Sequence, residues 1–383
     1  MMGALSHIRV LDLSRVLAGP WATQTLADLG ADVLKVESPE GDDTRRWGPP
    51  WLEDREGQPT AESAYFLCTN RGKRSVRIDF RTPEGQQRVR ELAKQSDVLV
   101  ENFKVGGLAK YGLDYESLSA ENPQLVYCSI TGFGQTGPYA ARPGYDFLIQ
   151  AMGGLMSVTG PNNGEPQKVG VALSDIMTGL YATIGILAAL SERDQSGRGQ
   201  YVDLALLDVT AATLANQASN YLVGGRVPGR LGNAHPNIVP YQAFATADGH
   251  CIVAVGNDNQ YRNFVNTLEL PELADDPRFA SNEARVENRE QLVPLLEAKM
   301  RERKRDDWLA RLEAAGVPAG PINNVDEVFA DPQVLARGMR VNIPHPDNTG
   351  LEVAGCPIKL SRTPVEYCRP PPKLGEHDAL LDG

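Results

Sequence analysis

A chain of 383 residues, 42% hydrophobic and 23% charged, has the composition of an ordinary globular protein and the length for two domains of usual size. Its net charge of -11 argues against a nucleic-acid binder, because that affinity comes largely from Lys and Arg neutralising phosphates. The dispersed cysteines (Cys68, Cys128, Cys251, Cys356, Cys368) form no C-x-x-C pair and the scattered histidines no H-E-x-x-H, which excludes a disulfide framework and a metal ligand set and fits a reducing compartment.

The N-terminus moves straight into a strand, without the basic and apolar regions of a secretory signal. Ile8 to Leu13 reads as that strand, Ser14 to Gly19 as a loop, and Trp21 to Leu29 as a helix that follows Pro20 and stops at Gly30. Ala31 to Glu37 supplies a second strand, completing a βαβ unit and implying a parallel pair. The pattern recurs in Ser75 to Phe80, the helix from Pro83 to Gln95, Val98 to Glu101 and Leu125 to Ile130, so the first half is α/β with a mainly parallel sheet. A long helix from Asp175 to Arg193 follows. Its apolar part, Ile176 to Leu190, is broken by Thr178, Gly179 and Thr183 and is too short to span a bilayer; the expectation is a cytoplasmic protein with a buried helix and no membrane partner. Beyond it come a strand at Tyr201 to Leu206 and a helix at Asp208 to Leu222. A Gly-, Pro- and Asn-rich stretch, Gly224 to Pro240, reads as a linker or an active-site loop. Strands at Tyr241 to Thr246 and Cys251 to Val255 and charged helices between Gln260 and Glu313 make a second unit, and Gly338 to Pro372 reads as irregular structure with short strands.

Three features suggest chemistry. Asp175 stands where the long helix begins, either as an N-cap (as Ser174 also could) or as a functional carboxylate. Gly132-Phe133-Gly134-Gln135-Thr136-Gly137 matches G-x-G-x-x-G by letter, but Pro138 and Pro143 leave no helix N-terminus behind it for a pyrophosphate, so a dinucleotide site is not expected. Asn70-Arg71-Gly72-Lys73-Arg74-Ser75 and Asn102-Phe103-Lys104, with Lys110 beyond, gather cations near strand ends; they read either as a site for a polyanionic ligand or as a solvated basic surface.

Taken together, Arg15 to Pro20, Gly30 to Glu37, Asn70 to Ser75, Glu101-Asn102-Phe103, Ser129 to Gly134, Ser174-Asp175 and Gly197-Arg198-Gly199-Gln200 resemble the family III CoA-transferases, in order from about Ile8 to His377. The resemblance implies a large Rossmann-like α/β domain with a mainly parallel sheet, a smaller inserted α/β domain, and a homodimer of interlocked rings. On that pattern residues 1–200 form the first part of the large domain, 201–240 a linker, 241–325 the small domain and 326–383 the returning segment. It makes Asp175 the nucleophile of a CoA transfer between an acyl-CoA and a carboxylic acid, through aspartyl anhydride and aspartyl-CoA thioester intermediates. It also implies CoA contacts at Val16, Ala18, Asn70, Lys73, Arg74, Asn102, Phe103 and Lys110, with CoA thioester as substrate and no tightly bound cofactor.

A carboxylate of ordinary pKa at a helix N-terminus is ionised at neutral pH and needs no base. The racemases of the family carry Gly-His-Asp where this chain has Gly144-Tyr145-Asp146, and tyrosine is a poor partner for α-proton exchange, so transfer is favoured over racemisation. Ser38 stands where some relatives hold the adenine end of CoA with a basic residue, and Gly232 to Pro240 lacks the glycine-rich loop of the oxalate enzymes. That departure moves the expectation from oxalate or carnitine toward succinyl-CoA as donor and glutarate or another dicarboxylate as acceptor. Tyr145 and Asp146 are expected at the acyl site, with Arg15 or His235 as the group meeting the distal carboxylate.

Overall fold

The computed structural model describes residues 3–348 and 350–381. They divide into two compact units: unit 1 holds the residues up to Leu155, Lys168–Gly225 and those from Pro332 on, and unit 2 holds Met156–Gln167 and Arg226–Asp331.

Unit 1 is built on six strands: β1 (Arg9–Asp12), β2 (Asp32–Glu37), β3 (Lys73–Arg77), β4 (Val98–Glu101), β5 (Val126–Thr131) and β6 (Tyr201–Ala205). They lie in the order β3-β2-β1-β4-β5-β6 and every pairing is parallel. Such a sheet is covered on both faces, and accordingly Val10, Leu11, Val98, Leu99, Val100 and Cys128 are all buried. The order reverses between β1 and β4, and ligands of open α/β sheets collect beyond the carboxyl ends of the strands at such a point. Helix α1 (Ala18–Asp28) starts before the expected Trp21, with Pro20 in its first turn where a missing N–H costs nothing. Thr82 caps α2 (Pro83–Lys94) through its hydroxyl, which accepts from the Gly85 N–H.

Two helices carry Asp146 and Asp175, α3 (Asp146–Met152) and α4 (Leu173–Ser196). At 24 residues α4 is long and apolar enough, by length and composition, to cross a membrane, which corrects the shorter stretch expected from sequence. It is nonetheless half-embedded in the core: Thr178, Ala182, Ile186 and Ala189 are buried, and a Cβ on Gly179 would stand 2.7 Å from the Ala18 carbonyl oxygen of α1. Only glycine allows that approach.

Residues 201–240 are not a linker throughout. Tyr201–Ala205 is the edge strand β6, α5 (Leu206–Thr213) packs on α4, and the chain from Arg226 belongs to unit 2. The segment from Pro332 returns to unit 1, where His377 donates its N–H to the Ser75 carbonyl and Arg45 reaches the Pro372 carbonyl.

Unit 2 carries an antiparallel sheet ordered β9-β8-β7 from β7 (Tyr241–Ala245), β8 (His250–Ala254) and β9 (Ala319–Pro321). Helices α6 (Asp258–Thr267), α7 (Arg289–Met300) and α8 (Arg305–Ala314) close its own core around Phe244, Phe264, Leu296 and Trp308, whose indole N–H donates to the Met300 carbonyl.

Candidate active site

A cavity of about 590 Å³ lies within unit 1, lined by the segments that follow β1, β2, β3, β4 and β5, together with Asp175. The β1–α1 turn enters it in an unusual conformation: Val16, a β-branched residue, has φ 70, with its N–H on the Asp42 carboxylate at 3.3 Å. Strain of this kind persists only where the surroundings enforce it and concentrates at functional sites. The glycine hexamer serves a different purpose from a dinucleotide turn. Gly132 and Gly144 cross backbone to backbone, so that a Cβ on Gly132 would fall 2.5 Å from the Gly144 Cα, and residues 140–145 are thereby laid along the cavity.

Asp175 sits in the first turn of α4, not at its cap. The cap position is Ala172, whose methyl group can accept no hydrogen bond; the Asp146 carboxylate accepts the Ser174 N–H at 2.8 Å and the Asp175 N–H at 3.3 Å instead. Gln150 fixes that carboxylate by donating to its other oxygen at 2.7 Å, and Gln150 in turn accepts the Val169 N–H. Ser174 is buried and takes a hydrogen bond from the Thr210 hydroxyl. Neither reading of Ser174 or Asp175 as N-cap holds. Among the described residues no donor or cation engages the Asp175 carboxyl.

Its ionisation also departs from the expectation of an ordinary carboxylate. Burial, and then the like charge of Asp146, push Asp175 up to about 7. Asp146 takes the helix N–H groups that would otherwise favour the Asp175 anion, so the two carboxylates compete for one helix end. Tyr65 shares these surroundings: burial and then the Asp175 charge raise its hydroxyl to about 12, which keeps it a hydrogen-bond donor at neutral pH.

Val16, Ala18, Asn102, Phe103, Lys110, Arg15 and Tyr145 all line the cavity with Asp175, and Asp146 stands behind it as the cap. Asn102 locks the turn by accepting the Arg15 N–H and donating to the Arg15 carbonyl, while the Arg15 guanidinium lies 5.3 Å from the Phe103 ring centroid and pairs with Asp43 at 3.1 Å. The loop Asn70 to Arg74 does not line it. Lys73 is wholly buried and donates to Asp12 at 3.0 Å, to the Pro20 carbonyl at 3.0 Å and to Asn70 at 2.9 Å. Asn70 is likewise buried, and Arg74 pairs with Asp32. Lys73, supported by Asn70, braces the floor of the β1–α1 turn, Arg74 holds the start of β2, and none of the three lines the cavity. His235 lies in unit 2 and is absent from the cavity wall.

Trp47, Arg81, Arg142 and Tyr65 were not singled out from sequence. The first three line the cavity, and Trp47 stacks edge-on against Tyr65 at 5.1 Å. No spacing signal marks them, because each is brought in by a different loop. Among the cavity cations, Arg15 and Arg81 are held by Asp43 and Asp79, whereas Lys104, Lys110 and Arg142 have no carboxylate within ion-pair distance among the described residues.

The family model described as CoA-transferase family III matches residues 5–378. The chain is 56% identical over 378 residues to the succinate–glutarate CoA-transferase of Agrobacterium fabrum, covering 98% of this chain and 94% of that one. It is 45% identical over 374 residues to the succinyl-CoA:glutarate CoA-transferase of Homo sapiens, covering 97% and 84% respectively. Among solved structures, the crystal structure of a CAIB/BAIF family protein from Brucella suis aligns with a TM-score of 0.87 at 55% identity, over 100% of this chain and 99% of that chain.

Proposed function

The chain belongs to CoA-transferase family III, and from that premise we propose that it moves CoA from succinyl-CoA to glutarate with Asp175 as nucleophile. The observation that carries the chemistry is a carboxyl without an internal partner, facing a cavity whose wall bears the unpaired cations Lys104, Lys110 and Arg142. The substrates follow the relatives named for that pair, which match nearly the whole chain. The cations suit the phosphates of CoA, and Val16, Ala18 and Phe103 give its less polar parts a wall.

One Asp175 oxygen attacks the thioester carbonyl; the C–S bond breaks, CoA leaves as thiolate, and an aspartyl-succinyl anhydride remains. The thiolate attacks the aspartyl carbonyl, succinate leaves as carboxylate, and an aspartyl-CoA thioester forms. A glutarate carboxylate then displaces CoA thiolate from that thioester, giving an aspartyl-glutaryl anhydride. Thiolate attack on its glutaryl carbonyl yields glutaryl-CoA and restores Asp175. No net proton is exchanged. Each tetrahedral oxyanion needs donors, and in this reading they come from the main chain at the Gly132–Gly144 crossing that runs along the cavity. The chemistry requires no metal, tightly bound cofactor, nucleic acid or membrane, and the free cysteines suit the reducing cytoplasm.

The functional unit in this reading is an interlocked homodimer. Helices α3 and α4 expose Phe147, Leu148, Tyr181 and Ile184, and Leu222 and Val223 stand in solvent at 78% and 89%, an apolar surface that a second copy would cover. A panel of carboxylic acids offered with succinyl-CoA, read by mass spectrometry of the CoA esters, should show glutarate turned over far ahead of oxalate. Equal turnover would sink the substrate assignment, and light scattering of the same preparation should give two 41.6 kDa chains, not one.

Since the nucleophile must be ionised, kcat/KM should climb with pH through about 7 and level off above it. Asp146→Asn keeps an oxygen for the two N–H groups and removes the like charge, so the rising limb should move down by about one pH unit. A limb that stays in place would show that Asp146 does not set the ionisation of Asp175.

A further inference from the structure

The buried acids Asp12, Asp28, Glu37, Asp42 and Glu62 each face a cation, respectively Lys73, Arg71, Arg45, Lys35 and again Arg45. Glu101 does not. It ends β4, is buried, and among the described residues has no lysine, arginine or histidine within ion-pair distance. A carboxylate kept in the interior without a counter-ion is costly, and its partners here are neutral donors. It accepts the Phe103 N–H at 2.7 Å and the hydroxyl proton of Ser129, its neighbour on β5. The Ser129 oxygen accepts in turn from the Gln135 side-chain amide at 2.9 Å, and the Gln135 N–H donates to the Asp203 carboxylate at 3.2 Å.

These contacts join wall segments of the cavity that lie apart in the chain. Phe103 lines the cavity, and Asn102 beside it locks the β1–α1 turn through Arg15. Gln135 belongs to the glycine-rich turn that starts at Gly132, whose crossing with Gly144 lays residues 140–145 along the same cavity. Glu101 stands behind all of them without lining the cavity itself. Its other neighbours do not neutralise it. β1 brings the apolar Leu13, and the cation over Phe103, Arg15, pairs with Asp43. β5 brings Tyr127, which also feels Asp114 and Glu116, and Cys128; burial and then the Glu101 charge raise both above their ordinary values. β6 brings the further acid Asp203 and Tyr201, which burial pushes up to about 12. Burial likewise outweighs the Ser129 and Phe103 donors and pushes Glu101 up to about 7.

We infer that Glu101 is a positioning residue whose negative charge holds the Asn102–Phe103 segment and, through Ser129 and Gln135, the glycine-rich turn in the arrangement that binds acyl-CoA, and that protonation slackens this wall. The inference rests on the proposed placement of CoA in the cavity and adds to it a proton-dependent affinity separate from the ionisation of Asp175. Both acids titrate in one range, so transfer rates alone do not separate them.

Binding does. Calorimetric titration of CoA into the full-length Asp175→Ala enzyme, with and without Glu101→Gln, takes the nucleophile's own titration out of the measurement. The phosphates of CoA titrate as well, so the two proteins are compared with each other at each pH. At pH 8 Glu101→Gln should weaken CoA binding about fivefold, because neutral hydrogen bonds replace charge-assisted ones roughly twice as strong, and at pH 6 the two should agree within about twofold. Glutamine keeps the shape and removes the uncompensated charge. With its pKa raised, Glu101 contributes stability that is fully present below the ordinary carboxylate pKa and lost as pH rises through about 7, so the glutamine variant should melt no lower than its parent at pH 8. Ser129→Ala in the same background leaves the charge and removes a donor that favours it, so the pH at which CoA affinity falls should move up. Equal affinity at pH 8, an equal deficit at both pH values, or a Ser129→Ala profile that stays in place overturns the inference. Failure of the Asp175→Ala enzyme to bind CoA at either pH overturns the proposed function, and this inference with it.

Discussion

Asp175→Ala will abolish CoA transfer, with a loss on the order of 10⁴-fold or more, because the other aspartates of the cavity wall, Asp42, Asp43 and Asp79, are held in ion pairs with Lys35, Arg15 and Arg81. Among the buried acids of the strands beneath, Asp12 and Glu37 are committed to Lys73 and Arg45, and Glu101 accepts the Phe103 N–H and does not line the cavity. The variant should also be more stable than the wild type above neutral pH. The folded-state pKa of Asp175 is raised to about 7, so its contribution to stability is fully present below the ordinary carboxylate pKa and is lost as pH rises through about 7. Removing the group removes that loss. At pH 8 the gain should be about 2 kcal/mol, after discounting for its partial exposure, and should vanish near pH 4. Inactivity with a raised melting temperature at pH 8 cannot be ascribed to misfolding. Measurable transfer by Asp175→Ala would refute the nucleophile, and a lowered melting temperature at pH 8 would refute the electrostatic account. Incubation of the wild type with acyl-CoA and hydroxylamine gives the positive control, since the trapped hydroxamate should map to Asp175.

The parallel sheet was legible because its signals are local. Gly30 sits at φ 103 where α1 stops, Thr82 and Pro83 open α2, and each apolar run between such marks became a strand. Strand alternation decided what was not. Lys73 and Ser75 point inward from β3, so a sequence that reads as an exposed basic loop is a buried brace, and the strand itself starts two residues before the expected Ser75. Counting cations cannot reveal that, because it says nothing about which face each one takes. The cap of α4 illustrates the same limit: Asp146 reaches it from 29 residues upstream, while a local reading sees only Ser174 and Asp175. Tyr65 and Trp47 come to the nucleophile and cavity through tertiary packing alone. Tyr201–Ala205 was read as a strand by pattern yet assigned to a linker by analogy, and its pairing with β5 sides with the pattern.

Lys73→Met should be the most damaging substitution outside the nucleophile. Its ammonium donates to Asp12, to the Pro20 carbonyl and to Asn70, all three buried. Burial by itself would push Asp12 up, but Lys73 and Lys35, with the hydroxyls of Ser14 and Thr23, outweigh it and hold the carboxyl at about 2. That stability is present above the ordinary carboxylate pKa and lost only as pH falls towards 2. Without Lys73 the Asp12 charge keeps its hydroxyl donors and loses its nearest cation, and stranding a buried charge in this way costs about 3–5 kcal/mol. Asp12→Asn combined with Lys73→Met removes both charges, so the double variant should be more stable than the Lys73→Met single, a coupling that urea unfolding at pH 7 measures. The consequence reaches the site, because Asp12 and Pro20 bracket the turn that holds Val16 at φ 70 against the cavity. Folded Lys73→Met enzyme should therefore show a raised KM for acyl-CoA even though Lys73 does not line the cavity. A loss below about 1 kcal/mol, or an unchanged KM in the folded fraction, would mean the brace shapes neither the turn nor the CoA site.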